Sequence, residues 1–405
     1  MGEAQLTISN VLQMNVRLSE GGAAGVARTL ADELTRRGIN SPFAYGYSKG
    51  GRASPLEERY SGIRVTPAPI AATNRVSYSL FGRDTRLTAP ANWTRLREAI
   101  ALSDVVHLHA VHSYIVDTGK LVDEIIRAGK PVVWTLHDQW LMTGRCAQPG
   151  SCRLWEIGCP KCPNLEAYPP ARVDHTARRF NDRRAIVDRL QSSVPTELVA
   201  CADWLGAEAK LASLKNVSIV KNSVDREFWE SSTFKKGEVG TEASEARNLF
   251  MCRDLRDQQK VDWALLRAVS SIEGQSLTIV GNDAPFELKE ARRVPAIASR
   301  TELAQVMRDH DRLIFTSQVD YFPLTIVEAL TCGLEVLAID SLAAREFAGN
   351  PLLTIFDTTA ELLAHTRERP SVRTPEGADD LDRQSFAPDR MTENYLAIYE
   401  RLTGA

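Results

Sequence analysis

The chain has 405 residues, 43% hydrophobic and 25% charged, with a net charge of −3. That length exceeds one ordinary core and predicts two domains of roughly 200 residues. The weak acidity argues against nucleic acid as a partner, and no apolar run reaches the roughly 18 residues that would span a bilayer. The opening MGEAQLTISN lacks the basic and apolar regions of a secretory signal, so the expected location is the cytoplasm.

Taken in chain order, short apolar runs alternate with helical patterns, which predicts parallel sheets covered by helices. In the first half, strands are expected at 6–14, 42–47, 104–109, 131–136 and 197–202, with helices at 24–37 and 117–128. Residues 176–191 form a strongly basic helical stretch. A polar tract at 228–247, rich in Ser, Lys, Glu and Gly, reads as a linker. A second alternating set follows, with strands at 248–252, 276–280, 311–315 and 335–339 and helices at 261–271, 301–308 and 325–332. The last helix, 387–402, places Tyr395 and Tyr399 on one face. The expected class is α/β, with two doubly wound, Rossmann-like domains facing across a cleft. Their bounds are 1–225, a linker at 226–246, 247–385, and a terminal helix at 386–405.

Several groups of residues could carry chemistry. Glycines 21, 22 and 25 stand between the first strand and its helix, where Gly21 and Gly22 would let an anion or ligand approach the backbone. Their spacing is not that of a dinucleotide fingerprint, and a tight packing turn is the competing reading. His137 ends the strand in Trp134-Thr-Leu-His-Asp138, at the edge where open α/β sheets bind ligands. His107, His109 and His112 cluster at the end of the preceding strand and are expected to serve as hydrogen-bonding residues. In the second half, Arg253, Arg256 and Lys260 occupy the turn after the first strand and could neutralise a diphosphate. A solvated charged loop is the alternative there.

The most informative stretch is Asp320-Tyr-Phe-Pro-Leu-Thr-Ile-Val-Glu328. It sets two carboxylates eight positions apart across a helix start. The backbone N–H groups from Leu324 and Thr325 onward then form a natural phosphate site. One acid for sugar hydroxyls, one for a ribose diol, and a diphosphate cradle between them describe a nucleotide-sugar pocket. Of seven cysteines, Cys146, Cys152, Cys159 and Cys162 follow C-x5-C-x6-C-x2-C. Four thiolates suit a closed structural zinc site, with free thiols or disulfides as the other readings. Arg172, His175, Arg179 and Arg183 can share a helical face that could meet an anionic membrane leaflet; a solvated helix is the alternative.

In this order the motifs resemble the retaining GT-B glycosyltransferases that carry an E-x7-E signature (family 4), over essentially the whole chain. The resemblance rests on the Gly-rich loop, the Thr-x-His strand end, Asn222-Ser-Val-Asp225, the Arg/Lys loop, the turn at Gly281 and the acidic pair before E-A-L-x-x-G. Within that family the chain is similar to exopolysaccharide transferases of the colanic-acid type, which share G-G-A-A-G-V-A, W-T-L-H-D-x-W and T-G-R-C with its cysteines. Asp320 departs from the family's first Glu and Pro323 removes a backbone donor. The resemblance implies a GT-B fold whose terminal helix returns to the first domain. It also implies transfer of a sugar from a UDP- or GDP-sugar, with retention, to a saccharide or polyprenyl-linked oligosaccharide at the inner membrane face. Lys260 with Arg253 or Arg256 would stabilise the diphosphate. Glu328 would hold ribose and Asp320 the sugar, and Gly281 would lie along the donor. His137 would line the reaction centre from the other side. No catalytic divalent metal is expected. A sugar-nucleotide epimerase or hydrolase, a zinc-dependent hydrolase, and a non-catalytic relative are the rival readings.

Overall fold

A computed structural model describes residues 8–46, 55–81, 87–112, 114–233, 246–368 and 383–404. The chain divides into two compact units, one of residues 1–221 with 391–405 and one of residues 222–390. The first eight residues of the expected linker include a short helix, Arg226–Ser231, whose N-cap Asp225 accepts from the Phe228 N–H. Residues 234–245 lie outside the described residues.

Unit 1 is built on seven parallel strands: β1 (Val11–Asn15), β2 (Phe43–Tyr45), β3 (Ile63–Arg64), β4 (Val105–Leu108), β5 (Val132–Leu136), β6 (Thr196–Ala200) and β7 (Val217–Ile219). Their order is β3-β2-β1-β4-β5-β6-β7. The central strands β1, β4 and β5 are buried along their whole length, as helices on both faces require. The terminal helix, Pro388–Thr403, buries Tyr395 and Tyr399 completely in this unit.

Unit 2 repeats the plan with six parallel strands: β8 (Ala246–Asp254), β9 (Gln275–Asn282), β10 (Arg292–Val294), β11 (Arg312–Phe315), β12 (Glu335–Ile339) and β13 (Leu353–Phe356). The order is β10-β9-β8-β11-β12-β13. Both sheets therefore reverse their winding beside their first strand, between β1 and β4 and between β8 and β11. At such a reversal the following loops diverge and leave a crevice at the carboxyl ends of the strands.

The four strands missing from the sequence expectation, β3, β7, β10 and β13, are the four sheet edges. All four lack fully buried residues, so none carries the continuous apolar run that marks an interior strand. The pairing of β8 with β9 shifts register between Met251 and Asp254. Gly281 makes that irregularity fit, since a Cβ there would lie 1.9 Å from the Cys252 carbonyl oxygen and 2.8 Å from Leu255 Cγ. Gly281→Ala should therefore destabilise the protein by about 1–3 kcal/mol, the usual cost of overpacking. Urea unfolding followed by circular dichroism measures it; an unchanged midpoint would mean that the strand end relaxes freely.

Candidate active site

In unit 2 the crevice between β8 and β11 gathers residues that are distant in sequence. The loop after β8 and the loop after β11 are joined by Gln318 N–H donating to Gln259 O at 3.0 Å and by Thr316 Oγ1 donating to Lys260 O at 2.6 Å. This pinning brings Lys260 Nζ to Asp320 Oδ1 at 2.6 Å, with both side chains about one quarter to one third exposed. Burial alone would lower the lysine's pKa, but the Asp320 carboxylate outweighs it and holds the ammonium above its ordinary value. The helix Leu324–Thr331 begins four residues beyond Asp320, with no side-chain cap. Ile326 and Val327 donate to Pro323 O, so the open donors narrow to the N–H groups of Leu324 and Thr325.

Glu328 lies within that helix, 6% exposed. Its Oε1 accepts from Arg300 Nη2 at 2.6 Å, and Arg300 Nε donates to Asp225 Oδ2. The guanidinium also lies 4.8 Å from the centre of the Phe228 ring. Burial raises the Glu328 carboxyl above its ordinary value and the Arg300 charge opposes that rise. Arg256 is exposed and ion-paired with Asp254 at 2.9 Å and Asp283 at 3.2 Å. Arg253 stands exposed at the end of β8. The structure thus gathers Lys260, Asp320 and the open helix start, and leaves both arginines outside that contact.

In unit 1 the corresponding crevice is bounded by the Gly-rich loop and the histidine strand ends. Gly21 caps the helix Gly22–Arg36 with φ of 92°, a conformation glycine adopts without strain. A Cβ at Gly21 or Gly22 would meet no atom within 4 Å, so the space before this helix is open. The helix carries neither a side-chain cap nor an acidic residue in its first turn, which leaves its positive end available to an anion. His137 ends β5 partly exposed, and its Nε2 lies 2.9 Å from His109 Nδ1. His112 Nε2 lies 2.7 Å from Asp138 Oδ2. Burial pushes His137 down to about 4, against the raising effect of Asp138, and holds His107 and His109 well below the usual imidazole range. All three rings are neutral at neutral pH.

Comparison with known proteins bears on this arrangement. Residues 20–227 match the family described as Glycosyltransferase Family 4, and residues 246–368 match Glycosyl transferases group 1. The putative colanic acid biosynthesis glycosyl transferase WcaC of Escherichia coli (strain K12) is 33% identical over 352 residues, covering 83% of this chain and 84% of that protein. The chain belongs to glycosyltransferase family 4. Its two parallel-sheet α/β units are those of GT-B glycosyltransferases. Anabaena HepE, solved with UDP and glucose, superposes with a TM-score of 0.62 at 14% identity, covering 97% of this chain and 100% of its own. WaaG, a lipopolysaccharide biosynthesis glycosyltransferase, gives 0.54 at 14% identity, covering 98% and 97%.

Two expectations for this glycosyltransferase are corrected. The four cysteines do not form the expected zinc site: among the described residues, no group of three or more His, Cys, Asp or Glu side chains is arranged to hold a metal ion. The loop carrying Cys146, Cys152, Cys159 and Cys162 is organised by other contacts. Arg145, 2% exposed, donates to the carbonyls of Ala167, Asn164 and Pro169, and Trp155 is fully buried. Cys159 Sγ accepts the Gly144 N–H at 3.3 Å, and Cys162 Sγ donates to Asn164 O at 3.2 Å. Burial raises the Cys146 thiol to about 11, with Arg145 opposing the rise and the nearby Cys162, Cys159 and Cys152 adding to it. The second correction concerns the basic helix, Thr176–Ser193. Arg179 and Arg183 are 4% and 3% exposed and stack on Tyr78 at 4.3 Å and Trp140 at 3.8 Å. They therefore face the core and cannot belong to a membrane-facing stripe with Arg172 and His175. No helix among the described residues is long and apolar enough to cross a membrane.

Arg300 escaped the sequence analysis, because it is one cation among many and nothing local marks it as the partner of Glu328. Its removal would strand two carboxylates. Arg300→Ala should cost about 3–5 kcal/mol of stability and drive the Glu328 carboxyl further up. The folded variant then keeps a proton that the unfolded chain releases, so its unfolding free energy should fall as pH rises from about 5 to about 8. Urea titrations at both pH values test this, and a loss independent of pH would mean that Glu328 is not the group left unpaired.

Proposed function

We propose that this glycosyltransferase moves a hexosyl unit, with retained anomeric configuration, from a UDP- or GDP-sugar bound by unit 2 to a saccharide acceptor bound by unit 1. The observation that carries the donor assignment is the Lys260–Asp320 pair set before the uncapped helix at Leu324. A diphosphate placed there would accept from the N–H groups of Leu324 and Thr325 and from Lys260, which stabilises the charge that develops as the sugar–phosphate bond breaks. Released from Lys260, Asp320 would accept sugar hydroxyls. Glu328, already turned by Arg300, would accept the ribose diol. HepE was solved with UDP-glucose, which supports a nucleotide sugar as donor here. In the transfer, the sugar's anomeric carbon loses its bond to the diphosphate oxygen and gains one to the acceptor oxygen, and the acceptor proton passes to the departing phosphate. No protein base is then required. His137 is the acceptor-side group that contacts a substrate hydroxyl.

A panel of nucleotide sugars, screened by thermal shift and then by turnover with and without acceptor saccharides, tests the reading. Lys260→Ala should lower kcat/KM by about a hundred-fold or more. Glu328→Gln should weaken nucleotide diphosphate binding by about ten-fold or more in calorimetry, from the loss of a charged acceptor. Donor consumption unaffected by any acceptor would point instead to a hydrolase or epimerase.

For the acceptor we propose a lipid-linked oligosaccharide met at an anionic membrane surface, the class of substrate that exopolysaccharide assembly uses. Leu80, Phe81 and Val173 are exposed and line one groove of unit 1, with a volume of about 790 Å3, together with Arg178 and Arg189. Asp117, Asp123 and Asp182 line it too, and Arg178 and Arg189 are ion-paired with Asp182 and Asp123 at 3.7 and 2.9 Å, so a lipid phosphate would enter by displacing those carboxylates beside the apolar side chains. Liposome co-sedimentation should rise with anionic lipid, fall with salt, and weaken in Phe81→Ser and Arg178→Glu. Equal, poor binding to neutral and anionic vesicles at low salt would remove the membrane from this proposal.

A further inference from the structure

The candidate contact residue His137 stands at the end of a chain of hydrogen bonds that runs through the interior of unit 1. Ser41 Oγ donates to Val11 O at 3.2 Å, so its lone pairs accept from Gln13 Nε2 at 3.4 Å. That orientation turns Gln13 Oε1 toward His109 Nε2, 2.8 Å away. A carbonyl oxygen accepts only, so His109 carries its proton on Nε2 and presents a bare Nδ1. His109 Nδ1 in turn meets His137 Nε2 at 2.9 Å, which places the proton of His137 on Nε2. The His137 side chain is only partly buried, and its Nδ1 has no protein donor among the described residues.

The surroundings keep the chain neutral. His107 stacks on His109 at 4.2 Å and is itself fixed by Tyr399 at 2.6 Å and Thr135 at 2.8 Å, with Tyr395 behind Thr135 at 2.9 Å. Tyr399 also bonds to Gln13. Asp138 is the carboxylate that acts on His137, and it is engaged by His112 and by the Trp140 N–H at 2.8 Å. A proton added at His137 would sit beside two imidazoles that are fully enclosed and held uncharged.

We infer that Gln13 and His109 are positioning residues that lock His137 in one tautomer, so that it meets a substrate hydroxyl as a hydrogen-bond acceptor through Nδ1 and never as a cation. The inference rests on the acceptor-side role of His137 proposed above. It has a consequence for substrate choice. The hydroxyl that faces His137 must act as donor, so a fluoro sugar or a methyl ether at that position is rejected while the hydroxyl compound is accepted.

The chain can be inverted without emptying the core. Gln13→Glu places a carboxylate against His109 Nε2, which favours the doubly protonated ring; His109 Nδ1–H then donates to His137 Nε2 and moves the His137 proton to Nδ1. His109→Asn leaves an amide oxygen near the position of Nδ1 and preserves the acceptor, whereas His109→Leu removes it. Nitrogen-15 NMR of histidine-labelled full-length protein, with His137→Ala used to assign the signal, should show an unprotonated Nδ1 at His137 that does not titrate between about pH 8 and about pH 5. Gln13→Glu should reverse the two nitrogens and lower kcat by about ten- to hundred-fold with donor KM nearly unchanged. His109→Leu should lose turnover to a similar degree and His109→Asn should recover most of it. A protonated Nδ1 in the wild type, or wild-type turnover in Gln13→Glu with the tautomer reversed, would overturn the inference. Normal turnover in His137→Ala would instead remove the acceptor-side role, leaving the tautomer measurement to judge the hydrogen-bond chain by itself.

Discussion

A parallel sheet covered by helices on both faces can place polar chemistry only where its strands stop. In both units the strands that stop in the middle are the first and fourth of their sheets, and the chain leaves them in opposite directions. The loops after β8 and β11 are then free to approach one another, and the hydrogen bonds Gln318–Gln259 and Thr316–Lys260 close that gap. Lys260 and Asp320, sixty positions apart, become partners for that reason. Unit 1 applies the same geometry to different residues. Its Gly-rich loop follows β1, and His109 and His137 follow β4 and β5, so an uncapped helix and a neutral imidazole bound the crevice.

Charge in unit 2 is arranged so that each candidate ligand-binding group already has a partner. Lys260 faces Asp320, and Glu328 faces Arg300, which also holds Asp225. A half-buried ion left alone would cost several kcal/mol and tend to neutralise itself. Here each half-buried charge has a partner within hydrogen-bond reach. In the donor site proposed here, binding of a diphosphate sugar would be an exchange, in which phosphate replaces Asp320 at Lys260 and hydroxyls replace the lysine at Asp320. For Glu328 the same proposal would differ, because Arg300 bonds to Oε1 and the second oxygen would accept the diol without breaking that pair.

The cysteine-bearing loop shows how a buried cation can do what a metal was expected to do. A long loop over a core needs something to anchor its backbone carbonyls. The guanidinium of Arg145 offers five donors in a fixed plane and gathers the carbonyls of Asn164, Ala167 and Pro169. Arg183 does the same for Trp140 and Thr143 from the neighbouring helix while stacking on the Trp140 ring. Burial raises the Cys146 and Cys159 thiols above the ordinary range.

The sequence by itself determined the two-sheet plan, the interior strands and the candidate residues at their ends. Buried strands must be apolar throughout, and the acidic pair with its helix start is a local pattern. Tyr395 and Tyr399 were legible as one apolar helical face for the same reason. The edge strands β3, β7, β10 and β13 were not legible, since a strand with one neighbour and partial exposure needs no special composition. Arginines 179 and 183 looked like part of a charged surface because helical spacing gives a face but not its direction. The cysteine spacing likewise gave no sign that Arg145 would anchor the loop's carbonyls. The partnership of Arg300 with Glu328 and the hydrogen-bond chain from Gln13 to His137 were decided only by tertiary structure. Each joins residues from separate strands and loops, and a hydrogen bond depends on distances and angles that no linear spacing encodes.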